Sequence, residues 1–166
     1  MLRRNFSGCT KDIKLHAFKS LVRPQLEYAS SVWDPYTAKH IHKLEMVQRR
    51  SARFIMSDYR NTSSPSSMFA NLHLQSLQAR RKTARLSIFY KAVNGKASLP
   101  LTDLRRQTRF TRNSTPSSFT QLRARCDAYK FSFFLRTIVD WNSLPFETTS
   151  SVSVDSFRSA IISLCG

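Results

Sequence analysis

The chain has 166 residues, 41% of them hydrophobic, and 27 Lys plus Arg against 10 Asp plus Glu give it a formal net charge of +17. That length holds one domain or two small ones, and its apolar content is too high for a disordered tail. Three glycines leave no Gly-rich phosphate loop, three widely spaced cysteines (Cys9, Cys126, Cys165) no disulfide frame, and the lack of an apolar run of roughly 18 residues no transmembrane helix.

In chain order, Leu2-Arg3-Arg4-Asn5 reads as the last turn of a helix, with Gly8 behind it. Thr10 is placed to cap a predicted helix over 12–22 that carries Ile13, Ala17, Phe18, Leu21 and Val22. Pro24 suits the first position of the next, predicted over 24–33, where its missing N–H costs nothing. Tyr28 and Val32 sit four apart on it, and Leu26, Ala29 and Trp33 share a neighbouring stripe. Asp34-Pro35 ends it, because the residue before proline is pushed out of the α region.

A helix over 38–57 is the most explicit. At about 100° per residue, Ile41, Leu44, Val47, Phe54 and Ile55 share a face, with Gln48 and Ser51 between them. Lys39, Lys43, Arg49, Arg50 and Arg53 fall on the other. The plain reading of such a face is solvated surface; the sharper one is an anion-binding strip.

Residues 57–67, rich in Ser, Asn, Thr and Pro, read as a loop. Ser66 or Ser67 is expected to open a short helix through Leu72. Ser76 caps a longer one over 77–94, with Gly95 placed at its C-terminal stop. Its first half is cationic (Arg80, Arg81, Lys82, Arg85) and its second apolar nearly all round, which predicts an inserted end and a projecting basic end. The stretch 97–118 reads as a basic linker or arm with Arg105, Arg106, Arg109 and Arg112 against the single acid Asp103. Residues 119–134 alternate aromatic and polar side chains, which predicts a short β-hairpin around Cys126-Asp127. Helices over 134–142 and from Ser153 close the chain, the last packing Val154, Phe157, Ala160, Ile161 and Leu164 on one stripe.

Such an excess of positive charge repels itself in a compact state, and a polyanion relieves it. Nucleic acid is the first candidate and an anionic membrane surface the second. Arginine supplies 18 of the 27 cations, and its planar fork suits phosphate. Polymerase or metal chemistry is not visible. There is no Asp-Asp pair, and the acids are spread singly, several at caps or turns. Asp140, beside Trp141, reads as a structural hydrogen-bonding residue in the core. His40 and His42 are two apart, so a helix points them about 200° apart. No Cys-x-x-Cys occurs, and no catalytic residue, metal ligand or cofactor is assigned. Tyr129, Phe131 and Trp141 would stack on bases if exposed, but their spacing among other aromatics favours the core.

Two long stretches, Leu21-Val22-Arg23-Pro24-Gln25-Leu26-Glu27-Tyr28-Ala29-Ser30-Ser31-Val32-Trp33-Asp34-Pro35 and Lys43-Leu44-Glu45-Met46-Val47-Gln48-Arg49-Arg50-Ser51-Ala52-Arg53, resemble the segment after the catalytic palm of non-LTR (LINE-type, jockey-like) retrotransposon reverse transcriptases. The resemblance continues through Leu72-His73-Leu74-Gln75-Ser76-Leu77, through Arg123-Ala124-Arg125-Cys126-Asp127-Ala128-Tyr129-Lys130 and Trp141-Asn142-Ser143-Leu144-Pro145, and into Ser153-Val154-Asp155-Ser156-Phe157. It spans nearly the whole chain. Against the family pattern, His73 stands for Gly, Leu74 for Trp, Cys126 for Thr and Leu135 for Pro.

The resemblance implies a thumb-like helical region over 1–96, the linker over 97–118 and a post-thumb region over 119–166. The first residues would be the end of a thumb helix, and the chain a truncated piece of an RNA-directed DNA polymerase. The expected fold is mainly α, a bundle of about six helices with one small β-hairpin in the C-terminal half. The implied activity is non-catalytic, sequence-tolerant gripping of RNA or an RNA–DNA duplex through its phosphates, in the nucleus or cytoplasm and away from membranes, with the missing palm and fingers as natural partner. A relic without function and a co-opted basic RNA-binding protein are the alternatives.

Overall fold

The computed structural model describes residues 2–60, 62–101, 104–108 and 115–165, which are mainly helical. Two units divide them, Met1–Arg81 and Lys82–Gly166. The boundary falls inside a helix.

In the first unit, α1 (Leu2–Asn5) precedes α2 (Lys11–Ala17). Thr10 does not cap α2 with its hydroxyl; its carbonyl accepts from the Lys14 N–H at 3.1 Å. The chain then widens into a π-helical turn, Phe18–Val22, before α3 (Arg23–Glu27). Pro24 explains the widening: its ring would clash with the carbonyl four residues back in a regular α-turn, and a looser turn admits it.

The expected helix over 24–33 is broken. Ala29 sits in the left-handed region at φ 49°, between α3 and α4 (Ser30–Trp33). The Trp33 indole N–H donates to the Tyr28 carbonyl that the break leaves over.

The long helix α5 (Ala38–Met56) packs against α2 and α6 (Pro65–Asn71). Phe18, Ala52, Ile55, Met68 and Leu72 form this unit's core, with Leu74 and Phe54 packed on it. Ser64, not Ser66 or Ser67, precedes α6, and Pro65 takes its first position because no N–H is needed there. Gln48, buried within the apolar face, donates its amide to the Gln75 carbonyl at 2.8 Å. Glu45 accepts from the Gln78 N–H at 2.8 Å, and the Ser76 hydroxyl from the Ala79 N–H at 3.1 Å. Two orphan donors at the start of α7 (Leu77–Val93) are thereby satisfied.

Helix ends are closed by left-handed residues. After α5, Ser57 has φ 52°, with Asp58 N–H bonded back to the Arg53 carbonyl at 3.1 Å. After α6, His73 has φ 49°, with Leu74 N–H bonded to the Phe69 carbonyl at 2.9 Å. After α7, Gly95 has φ 67°, with Lys96 N–H bonded to the Lys91 carbonyl at 2.7 Å. These are six-to-one closures of the Schellman type.

The second unit is built on aromatics. Phe89 meets Trp141 edge-on at 5.1 Å and Phe119 at 5.4 Å, while Tyr90 stacks on Phe157 at 4.3 Å. Leu86, Ile138, Leu144 and Ile161 complete this core. Burying such a side chain fully contributes roughly 2 kcal/mol relative to exposure. Its helices are the inserted end of α7, α8 (Asp127–Lys130), α9 (Phe133–Asn142), α10 (Phe146–Thr149) and α11 (Val154–Cys165). Ser153 caps α11 by accepting from the Ser156 N–H at 3.1 Å. On the expected stripe of α11, Phe157 and Ile161 are buried but Leu164 is half exposed.

The β-hairpin around Cys126-Asp127 is absent, and α8 stands there instead. Among the described residues the β-like pairing is one isolated antiparallel bridge, Arg106 with Phe119. A side chain closes the other edge of Phe119. Asn142 accepts from the Phe119 N–H at 2.9 Å and donates to the Phe119 carbonyl at 2.8 Å, occupying the groups a hairpin partner would need. The described part of 97–118 does not hang free, because Leu101 and Leu104 pack on the second core.

Candidate nucleic-acid interface

Lys39, Lys43 and Arg50 are exposed on α5, and Arg49 and Arg53 are half-buried. Among the described residues no acid pairs with any of these five. The reason lies in where the acids went. Glu27, Asp34, Asp58 and Asp140 are held in ion pairs, and Glu45 caps α7. Asp12, Asp127, Glu147 and Asp155 lie in the first turns of helices, where the dipole favours negative charge. Asp103 lies outside the described residues.

The α7 cations are in a different state. Arg80 pairs side-on with Glu27, its Nη2 at 2.9 Å, and that hydrogen bond raises the arginine's pKa. Arg81 is 1% exposed, with Nε 3.0 Å from Asp34, and its Nη1 and Nη2 are buried without hydrogen-bond partners. Arg85 is 2% exposed and paired with Asp140, which also takes Lys82 at 3.1 Å. The projecting basic end expected for this helix is therefore corrected: two of its arginines are interior. Asp140, expected as a structural hydrogen-bonding residue in the core, is half-buried and holds Lys82 and Arg85.

Arg105 and Arg106 are exposed; Arg106 lies over the Phe119 ring at 5.6 Å. Arg109 and Arg112 lie outside the described residues. Trp141 is buried and donates to the Ser117 carbonyl at 3.0 Å, so it is core; Tyr129 is half exposed.

Residues the sequence did not single out form a cleft beside the α5 cations. Arg3, Arg50 and Arg53 line one open cleft of about 640 Å³ together with Val47, Phe54 and Tyr59. The Arg3 guanidinium lies 4.8 Å from the Tyr59 ring centre. The Arg53 Nε is buried there with no hydrogen-bond partner. Lys14, itself buried, lies over the Phe54 ring at 5.3 Å and bonds the Ser57 hydroxyl at 2.9 Å. Asp58 is the acid nearest Tyr59 in sequence. Hydrogen bonds from the Arg60 side chain, the Ser63 hydroxyl and the Arg60 N–H hold its pKa down to about 2.

Among the described residues no group of three or more His, Cys, Asp or Glu could hold a metal ion. Among them, too, no helix is long and apolar enough to cross a membrane. Comparison with protein-family models, with curated proteins and with solved structures finds no match to this chain.

Proposed function

We propose that the chain is a non-catalytic, phosphate-gripping segment of a LINE-type reverse transcriptase. It binds RNA or an RNA–DNA duplex through the α5 cations Lys39, Lys43, Arg49, Arg50 and Arg53, in the nucleus or cytoplasm. One observation carries the reading: these five cations share a helix face and, among the described residues, no carboxylate is ion-paired with any of them. Phosphate contacts position without reading bases, so binding is sequence-tolerant.

Two departures from the family pattern support the resemblance. His73, standing for Gly, occupies a left-handed position that glycine fills best. Leu135, standing for Pro, lies in the first turn of α9, where proline is tolerated. Arg81 and Arg85 are left out of the proposed contact set, since both are buried in ion pairs.

A mobility-shift assay with an RNA–DNA duplex tests the proposal. Reversing Arg49, Arg50 and Arg53 to glutamate abolishes the shift if the reading holds, while an unchanged shift refutes it. A primed-template assay with magnesium tests the catalytic part; nucleotide incorporation above a blank would contradict it. One observation favours the rival reading of a functionless relic: Tyr28 and Val32 are 81% and 85% exposed. That reading requires aggregation or loss of near-ultraviolet dichroism in the purified chain.

A further inference from the structure

The cleft at the C-terminal half of α5 has a composition that backbone gripping does not require. Plain phosphate contact needs cations. Here three guanidiniums share a concavity with two aromatic rings, and Tyr59 is 48% exposed. We propose that this cleft seats one unpaired nucleotide of a single strand, its base against Tyr59 and its phosphate against Arg50 and Arg53. The inference rests on the nucleic-acid reading above and deepens it.

Four observations converge. At about 640 Å³ the cleft lies within the roughly 300–1,000 Å³ of small-ligand sites, too small for a stacked duplex but open to a base turned out of one. Tyr59 is already stacked by Arg3, so one guanidinium holds the ring in place while the rest of it stays accessible. Arg50 and Arg53 line the cleft and, among the described residues, pair with no acid, so a phosphate would meet two uncompensated guanidiniums. Among the described residues no carboxylate lines the cleft, and Asp58, next to Tyr59 in sequence, is ion-paired with Arg60.

The lining also limits what is recognised. Its one small polar group, the Ser51 hydroxyl, donates to the Val47 carbonyl of its own helix at 3.0 Å. Among the described lining residues there is no amide or carboxylate to read adenine or cytosine, and the arginines are the groups able to meet a guanine edge. Stacking itself is tolerant of base identity, so the site discriminates chiefly between unpaired and paired strands.

Fluorescence anisotropy with a short oligothymidylate, the same strand made abasic, and a blunt RNA–DNA duplex tests this on the full chain. The expected result is about tenfold weaker binding of the abasic strand than of oligothymidylate. Tyr59→Ala is expected to lose about tenfold on oligothymidylate, Tyr59→Phe to retain it, and both to bind the duplex as the parent does. Equal binding of abasic and normal strands, or an equal loss of both ligands in Tyr59→Ala, overturns the nucleotide site and leaves backbone gripping standing. Absence of salt-dependent binding to all three ligands overturns both readings together.

Discussion

Asp34 and Arg81 show what a single buried charge commits the chain to. Their side chains are 8% and 1% exposed, so either one left alone is a desolvated ion. Asp34→Ala is expected to cost about 3 kcal/mol of stability in chemical denaturation. Arg81 has two further nitrogens without partners, so the pair is not ideally satisfied. Asp58 supplies a pH test. Its folded pKa of about 2 lies below the ordinary 3.8, so the stability it contributes is fully present above about pH 4 and lost as pH falls through about 2. Carboxyl carbon NMR is expected to follow that titration, and in Arg60→Ala the midpoint moves back up toward the ordinary value.

At the scale of elements, the helix ends distinguish this chain from one richer in glycine. Ala29, Ser57 and His73 all take positive φ, a region that costs a side-chain-bearing residue roughly 1 kcal/mol. His73→Gly is expected to stabilise by about 0.5–1 kcal/mol, read as a raised denaturation midpoint at unchanged slope. Some of this was legible beforehand. The face of α5 follows from spacing, and Ser76 and Gly95 bound α7 because capping and left-handed stops are local chemistry. The burial of Arg81 and Arg85 was not legible, since their acids lie 47 and 55 residues away in sequence. Nor was the fate of 119–134. Its alternation of aromatic and polar residues is what a strand would show, but a ladder needs a partner; residues 127–130 are helical, and the backbone of Phe119 bonds the Asn142 side chain. Arg3 and Tyr59 joined the α5 cations without any local signal, one from each side of the helix in sequence.

For the molecule as a whole, charge is the organising quantity. Composition sets a surplus of seventeen positive charges, and because the described acids sit at ion pairs, caps and first turns, none of them is paired with the α5 cations. The account therefore stands on electrostatics that salt can screen. The most direct measurement is the dependence of duplex affinity on salt concentration. If five α5 cations each neutralise a phosphate, the slope of log K against log salt is about −4.5, and each cation removed by Lys→Ala or Arg→Ala makes it shallower by about 0.9. A slope near zero, or one that survives the loss of all five, would contradict the account.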